Sequence, residues 1–198
     1  MTEPSKDLIV NRISQRIKIL ERNIDYIANI TNLIAESVAS SIGEGKKLMF
    51  CGNGGSAAES QHMAAEYCAT LDHQKPRSGM PAISLTTDSS LITAWSNDFG
   101  FEGIFSRQVE TLGHKGDILM AYTTSGTSKN VCMAAEKAKS MGIKVIGFTG
   151  DHKEMLLEDF ADQIFKAPAT ETPLIQEIHT IIGHEICSNV ERILFNFK

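Results

Sequence analysis

The chain has 198 residues, a formal net charge of -5 and a pI near 5.7. This length predicts one domain with a full hydrophobic core, and the acidic balance gives no basic footprint for nucleic acid. No apolar run approaches the roughly 18 residues needed to span a bilayer, and no signal-peptide h-region follows Met1–Asp7. The four cysteines are scattered without a C-x-x-C pair, which favours a reducing compartment. We therefore expect a cytoplasmic protein with no nucleic-acid or membrane partner.

The first 45 residues are predicted to form two amphipathic helices. Apolar residues at spacings of three and four predict the first helix over residues 6–29. A second helix should follow and end at Gly43-Glu44-Gly45, since glycine is the usual residue after a helix C-terminus. Nothing in these helices indicates catalysis, so their predicted role is packing or oligomerisation. The residues that show the period are Ile9, Ile13, Ile17, Leu20, Ile24 and Ile27, then Leu33, Ile34, Val38 and Ile42.

From residue 46 onwards, short apolar runs alternate with helical stretches. This alternation predicts right-handed βαβ units and a parallel sheet covered by helices on both faces, a three-layer α/β/α sandwich. Ligands of such sheets bind beyond the carboxyl ends of the strands. A long helix over residues 172–195 should close the fold. The predicted strands are 48–51, 82–85, 118–122, 144–148 and 163–165, and the predicted helices between them are 57–71, 91–96, 105–112, 129–141 and 153–160.

The strongest local signal lies in residues 48–66, which combine a short strand, a glycine turn and a helix. Three glycines within 52–55 permit positive φ and a close approach of the backbone to a ligand. Ser56 is predicted to cap the helix, and the free N–H groups there would form an anion site. His62 and Glu66 lie four residues apart on one helix face, where they would overlook a ligand at the turn. The alternative is an exposed helix pair with no role.

A second signal is the hydroxyl-rich run TTSGTS at positions 123–128, directly after a predicted strand. Five hydroxyls around Gly126, opening onto a helix N-terminus, can surround a phosphate without a cation. An ordinary Ser/Thr N-cap would use only one or two of them. The run therefore predicts a phosphate-binding loop.

Two further patterns leave alternatives open. Residues 52–57 also fit the dinucleotide fingerprint G-x-G-x-x-A, with Asp72 at the expected distance. The acid of that fingerprint sits at the end of the second strand, whereas Asp72 falls in a predicted loop ahead of the strand at 82, which disfavours NAD(P). Asn97-Asp98 is predicted to follow a helix in a glycine-rich loop, as a buried cap or as a contact to substrate hydroxyls. The residues alone do not choose between these two roles.

Several motifs, in this order, resemble the sugar-isomerase (SIS) family and, more narrowly, the sedoheptulose 7-phosphate isomerases, or phosphoheptose isomerases. The resemblance covers nearly the whole chain. It implies a single SIS domain over 1–198, with N-terminal helices in 1–45 and a five-stranded parallel sheet and final helix in 46–198, assembled as a homotetramer. The motifs are GNGGSAAESQHMAAE at 52–66, AISLTTDSSLITAWSND at 82–98, TTSGTSKNV at 123–131, VIGFTG at 145–150 and IQEIHTIIGH at 175–184.

The resemblance also implies an activity and its residues. The family converts sedoheptulose 7-phosphate into D-glycero-D-manno-heptose 7-phosphate through an enediol, the first step towards the nucleotide-activated heptoses of lipopolysaccharide and some other glycans. It implies Glu66 as the base and His184 as the proton shuttle. The implied Zn²⁺ ligands are His62, Glu66, Gln176 and His184. The implied substrate contacts are Asn53, Gly54, Gly55, Glu66, Asn97, Asp98, Thr123, Thr124, Ser125, Ser128 and Gln176.

The residues alone do not decide all of these implied roles. Gln176 and His184 are about 12 Å apart along a straight helix, and by spacing alone His179 is as good a candidate as His184. The family usually has serine at position 123 and arginine at position 70, where this chain has threonine. If that arginine helps to hold substrate or neighbouring residues in the family, Lys75 or Arg77 would have to substitute for it here, or affinity would fall.

Two other functions compete with the phosphoheptose isomerase. One is a non-catalytic SIS regulator of replication initiation, which binds a protein partner and lacks the catalytic glutamate and histidine. The chain keeps both Glu66 and His184, which favours the enzyme. The other is a SIS isomerase of a different phosphosugar, for which the loop 72–81 and Thr70 would set the preference.

Overall fold

The computed structural model describes residues 5–197, so residues 1–4 of the expectation for Met1–Asp7 lie outside it. The N-terminal part forms helix α1 (Lys6–Arg22) and helix α2 (Ile24–Gly43). The predicted single helix over 6–29 is therefore wrong. The break falls at Asn23, which has φ -116° and ψ 13° and whose side-chain amide donates to the carbonyl of Ile19 at 2.8 Å.

The five predicted strands all form and pair in parallel, which confirms the predicted sheet. The strands are β1 (Leu48–Cys51), β2 (Ala82–Ser84), β3 (Ile118–Tyr122), β4 (Lys144–Gly150) and β5 (Gln163–Ala167). They lie in the order β2-β1-β3-β4-β5, so β2 pairs with one side of β1 and β3 with the other. β1 and β3 are buried throughout, as expected for strands covered on both faces.

Helices cover the sheet on both faces, which confirms the three-layer architecture. After α1 and α2, the helices are α3 (Gly55–Cys68), α4 (Ser89–Phe99), α5 (Ile104–Leu112), α6 (Lys129–Ser140) and α7 (Thr172–Phe195). Alternate residues of β1 enter opposite cores. Leu48 and Phe50 pack with α2, α3 and α7, while Met49 and Cys51 pack with α5 and α6.

The helix predicted over 153–160 is wrong, since only a short 3-10 turn forms at Leu156–Asp159. The N–H of Leu157 donates to the carbonyl of Gly126 at 3.0 Å, and that of Phe160 donates back to Leu157 at 3.2 Å. The first bond takes Leu157 N–H away from any preceding helical turn, so an α-helix cannot run through this segment. The turn instead supports the loop that contains Gly126.

Helix α1 leaves an apolar face at the surface. None of its residues is buried, and Ile9, Ile13 and Ile17 are 57%, 53% and 51% exposed. Three large aliphatic side chains along one helix face mark a surface that is covered in an assembly more often than it is left in water. Within the part of the chain that the structure describes, no helix has both the length and the apolar composition that a bilayer crossing requires.

Candidate active site

The two strongest sequence signals meet at one edge of the sheet. The glycine turn (residues 52–55) follows β1, and the hydroxyl loop (residues 123–128) follows β3. The two strands are direct neighbours, paired in register from Leu48–Ile118 to Cys51–Ala121. The two strands are parallel, but the order in which successive strands join the sheet reverses at this pair, because β2 lies on one side of β1 and β3 on the other. Such a topological switch point is where open parallel sheets bind ligands. Sequence and topology therefore place the candidate site above β1 and β3.

The glycine turn differs from its prediction in how it caps α3. Gly54, with φ +55°, holds the N-cap position, while Ser56 is buried inside the first turn. The N–H groups of Ser56 and Ala57 donate to the carbonyls of Asn53 and Gly54 at 2.9 and 3.0 Å. The predicted Ser56 cap is therefore wrong. Because two of the expected anion donors are used inside the turn, the loop after β3 is the better phosphate site.

Gln176 lies directly over this turn. A Cβ added to Gly55 would sit 2.5 Å from Nε2 and 2.7 Å from Oε1 of Gln176, so only glycine leaves room for the amide. The same residues border a cleft of about 340 Å³ between α3 and α7, which Glu59 and Thr180 also line. Thr180 donates its hydroxyl proton to Oε2 of Glu59 at 2.7 Å. The amide of Gln176 is thus presented at the glycine turn, where the substrate contact was predicted.

An amide pair joins the glycine turn to α6. Asn53 and Asn130 exchange two hydrogen bonds, each 2.8 Å from Nδ2 to Oδ1. Asn130 is 3% exposed and its Oδ1 also accepts from the N–H of Val131. Sequence reasoning missed Asn130. The signal available was an amide residue in the first turn of the helix after the hydroxyl loop, but its partner lies 77 positions away.

The hydroxyl loop forms a connected cluster of O–H groups. The hydroxyls of Thr123 and Ser128 are 2.8 Å apart, and that of Ser125 lies 3.4 Å from Thr123 and 3.0 Å from Thr127. Ser128 occupies the N-cap of α6, yet its side chain makes no capping bond. The plain N-cap alternative therefore does not explain Ser128. Its hydroxyl faces Thr123 and is available to a ligand at the start of α6.

Three of the predicted metal ligands come together between α3 and α7. Their ligand atoms lie within 4.8 Å of one another. Nε2 of His62 is 2.8 Å from Nε2 of His184, and Nδ1 of His62 is 3.7 Å from Oε1 of Glu66. Glu66 is 19% exposed at its side chain and His62 is 43% exposed, so the group is open to solvent on one side. The fourth predicted ligand, Gln176, stays a prediction.

The two histidines of α7 have different environments. His179 is 1% exposed, lies against the rings of Tyr122, Phe148 and Phe165, and donates from Nε2 to the carbonyl of Thr149 at 3.1 Å. Burial lowers the pKa of His179 to about 4. It is therefore a neutral core residue, whereas His184 faces His62. The structure thus separates two candidates that the spacing left equal.

Asn97 and Asp98 lie inside α4 and not in a loop, so that expectation is wrong. Asp88 caps α4 by accepting from the N–H of Leu91 at 2.9 Å, and the helix runs on to Phe99. Both residues are exposed, and Asn97 donates to Oδ1 of Asp98 at 2.7 Å. The buried-cap alternative is therefore also wrong for this pair. A substrate role for them stays a prediction.

The dinucleotide alternative finds no support in the geometry. Asp72 lies in the loop that precedes β2, with Oδ1 accepting from the N–H of Gln74 at 2.9 Å and Oδ2 3.8 Å from Lys75. An acid that meets the ribose hydroxyls would follow the second strand, which ends at Ser84. The acid of the fingerprint is therefore on the wrong side of β2.

Comparisons with known proteins give the class and then the family. A family model described as SIS domain matches residues 11–150, so the chain is a SIS-domain protein. The phosphoheptose isomerase of Roseiflexus sp. (strain RS-1) is 41% identical over 98% of this chain and 99% of that protein. That of Clostridium acetobutylicum is 42% identical over 96% of this chain and 94% of that protein.

Solved structures agree with these matches. The phosphoheptose isomerase of Francisella tularensis has a TM-score of 0.89 and 32% sequence identity, covering 96% of this chain and 100% of that chain. That of Neisseria gonorrhoeae has a TM-score of 0.86 and 32% identity, covering 94% of this chain and 98% of that chain. The chain belongs to the phosphoheptose isomerase family.

Proposed function

We propose that this protein isomerises sedoheptulose 7-phosphate to D-glycero-D-manno-heptose 7-phosphate. The observation that carries the proposal is the grouping of Glu66 with His62 and His184, on helices α3 and α7 of a chain that also carries the hydroxyl loop after β3. A carboxylate and an imidazole for proton transfer, together with a phosphate loop, are what an aldose–ketose isomerase of a phosphosugar requires. The similar proteins that are named phosphoheptose isomerases support the same activity.

The reaction needs only proton transfers. Glu66 takes a proton from C1 of the ketose, and the electron pair of that C–H bond forms the C1–C2 double bond. The π pair of the C2 carbonyl moves onto O2, which takes a proton to complete the enediol. A proton returns to C2 while the C1 hydroxyl loses its own proton and becomes the aldehyde carbonyl, so substrate and product have the same formula. His184 lies on α7, across from Glu66 on α3. Its proposed role is to shuttle a proton to or from the C1 or C2 oxygen of the substrate or to C2.

The grouped side chains fit a metal ion. Two imidazoles and one carboxylate are a donor set found in catalytic Zn²⁺ sites. His62, Glu66 and His184 would hold the ion, with Gln176 as the fourth ligand implied by the family. A bound Zn²⁺ would act as a Lewis acid on the substrate oxygens. His62 then serves to hold the ion, while Glu66 and His184 also face the substrate.

The test is a turnover assay on the purified protein. ¹³C NMR of sedoheptulose 7-phosphate should show the aldose product, and a chelator should abolish product formation until Zn²⁺ is restored. Turnover that survives complete metal removal would contradict the role of the ion. A folded, Zn²⁺-loaded protein with no turnover would contradict the proposal, and a panel of other ketose phosphates would then test the alternative SIS isomerase. The replication regulator is disfavoured because Glu66 and His184 are present and grouped.

The hydroxyl loop predicts a selective effect of Ser128→Ala. Loss of one hydroxyl donor should weaken phosphate binding by about 1–2 kcal/mol, a five- to thirtyfold rise in KM and in the inhibition constant of inorganic phosphate. The melting temperature should hold, because the Ser128 side chain does not cap α6. Ser140→Ala, at the exposed end of α6, is the matched control and should change neither constant. An unchanged KM for Ser128→Ala would exclude Ser128 from the phosphate site.

We further propose that the protein is a cytoplasmic homotetramer whose product enters heptose synthesis for lipopolysaccharide or a related glycan. The exposed aliphatic face of α1 is a surface that such an assembly would cover. The four cysteines are unpaired, which suits the reducing cytosol. Asn97 and Asp98 are exposed on α4, and their proposed contact with substrate would be made at a site shared between subunits.

Sedimentation equilibrium tests the assembly. The expected mass is four times the chain mass of 21.7 kDa, and Ile13→Asp should shift the protein to smaller species because it puts a charge into the covered α1 face. Glu21→Lys, an exposed change on the same helix, is the control for altered charge. A monomer mass for the unmodified chain would contradict the tetramer.

A further inference from the structure

Arg77 and Glu191 form an ion pair deep inside the protein. Nε of Arg77 lies 2.6 Å from Oε1 of Glu191, and the two side chains are 0% and 5% exposed. Among the ion pairs of the described residues, it is the one in which both side chains are buried. Burying two charges carries a desolvation cost, which only further hydrogen bonds can offset.

The other donors of Arg77 bind the end of helix α3. Nη2 donates to the carbonyl of Glu66 at 2.8 Å, and Nη1 donates to the carbonyls of Tyr67 and Ala69 at 2.9 and 3.1 Å. Glu66 and Tyr67 belong to the last turn of α3, and Ala69 is its C-cap residue. Carbonyls at this end have no partner within the helix and carry the negative end of its dipole. A planar guanidinium can reach several of them at once, which an ammonium group cannot.

The same side chain ties α3 to α7. Glu191 lies on α7, seven residues after His184, and also accepts from the N–H of Leu71 at 3.2 Å. Arg77 therefore connects the two helices that contribute the grouped residues His62 and Glu66 on one side and His184 on the other. One of its hydrogen bonds ends on the backbone of Glu66 itself.

We infer that Arg77 is a positioning residue for the candidate active site. It fixes the end of α3 against α7 and so sets the distance from Glu66 and His62 to His184. An error of about 1 Å in the position of a reacting group can lower a rate by about 10²-fold, which makes this clamp important although Arg77 touches no substrate. The inference rests on the proposed function for its kinetic consequence, but not for its effect on metal affinity.

The position of Arg77 also shows whether it could replace the arginine that the family usually has at position 70, where this chain has Thr70. The hydroxyl of Thr70 donates to the carbonyls of Asp72 and Lys75 within the loop, at 3.2 and 3.4 Å. Lys75 pairs with Asp72 at the surface. Arg77 is enclosed by backbone carbonyls, Glu191 and the ring of Phe195, whose centroid is 5.7 Å away. It therefore acts through the backbone of α3 and does not supply a substrate-binding guanidinium in place of residue 70.

Arg77→Lys tests the inference because it keeps the charge and removes the planar fork. The Zn²⁺ affinity of the protein, measured with the metal alone by competition against a chromogenic chelator, should fall about 10- to 100-fold, the usual effect of losing support behind metal ligands. In the loaded enzyme kcat should fall about tenfold. KM should stay within about twofold, because the proposed phosphate loop lies between β3 and α6 and makes no hydrogen bond to Arg77 or Glu191.

The matched control is Asp117→Asn, in an ion pair at the opposite end of the sheet. Asp117 is 2% exposed, accepts from the backbone N–H of Lys47 and His114 and pairs with the Lys47 ammonium ahead of β1 and β3. Its loss should lower the melting temperature and leave Zn²⁺ affinity and kcat unchanged. Equal melting losses in the two variants, with Zn²⁺ affinity and kcat retained in Arg77→Lys, would overturn the inference.

Glu191→Gln is the second variant and guards against a failure to fold. It keeps the shape and one oxygen acceptor for Arg77, so its Zn²⁺ affinity should fall in the same direction but by less. Wild-type Zn²⁺ affinity in this variant would count against the clamp. If the unmodified protein binds Zn²⁺ but does not turn over the sugar, the proposed function fails, while a weakened affinity in Arg77→Lys still supports the positioning role.

Discussion

Glu66→Gln should lower kcat by about 10³-fold or more while the protein stays folded. A positioned general base contributes about 10²–10⁴-fold, and glutamine keeps the shape of Glu66 but cannot accept the proton from C1. The fold should tolerate the change, because Arg77 binds the backbone carbonyl of residue 66 and not its carboxylate. KM should change little, since the phosphate is held by the loop after β3.

Proton exchange measures the step directly. In D₂O, the wild-type enzyme should incorporate deuterium at C1 of the ketose, and Glu66→Gln should lose this exchange together with net turnover. Zn²⁺ must be saturating in the assay, so that loss of a carboxylate ligand is not mistaken for loss of the base. Glu185→Gln is the control, since Glu185 is exposed on α7 beside His184 in sequence. If Glu66→Gln keeps more than a tenth of the wild-type kcat, Glu66 is not the base.

The sheet and the edge that carries the site could be predicted from the sequence. The strands of a parallel sheet are buried on both faces, so runs such as 118–122 are apolar throughout and stand out from the amphipathic helices between them. The glycine turn and the hydroxyl run both follow strands directly. Since the carboxyl ends of all strands in a parallel sheet lie at one edge, the sequence predicts that the glycine turn and the hydroxyl run lie at that same edge.

Local geometry at helix ends could not be predicted in the same way. The apolar period that predicts one helix over 6–29 continues across Asn23, although the helix breaks there and α2 begins at Ile24. At the glycine turn, the choice between Ser56 and Gly54 as N-cap depends on a positive φ that many glycine-containing sequences allow. Such choices depend on tertiary contacts.

Partners far apart in sequence were the hardest to foresee. Asn53 and Asn130 are joined only because β1 and β3 are adjacent, and Arg77 meets Glu191 only because the loop before β2 passes under α7. Neither pair has a spacing signal. The resemblance to the family named the residues expected to contact substrate and metal, but it named no residue that supports them from behind. Supporting residues such as Asn130 and Arg77 are seen only in the structure.

The clearest test of the site compares the two histidines of α7. His184→Gln should lower kcat by at least about 10²-fold, since it removes the residue proposed both as proton shuttle and as metal ligand. Zn²⁺ affinity should fall with it. His179→Gln should keep kcat within about threefold, because His179 is enclosed by aromatic rings and binds only the carbonyl of Thr149. Loss of turnover in His179→Gln alone would reverse the assignment.

His179 should instead control how stability depends on pH. Burial holds its pKa at about 4, below the ordinary value of 6.5, so the unfolded chain binds the proton first as the pH falls. The stability that neutral His179 contributes is complete above about pH 6.5 and is lost progressively down to about pH 4, which amounts to about 2 kcal/mol at pH 5. His179→Gln, whose amide can still donate to Thr149, should lack that part of the acid destabilisation.

Urea unfolding at pH 7.5 and pH 5 measures this difference. The free energy of unfolding of the wild type should fall by about 2 kcal/mol more than that of His179→Gln between the two pH values. A residue that governs turnover and one that governs acid stability are then separated on the same helix, five positions apart, because one faces α3 and the other faces the sheet.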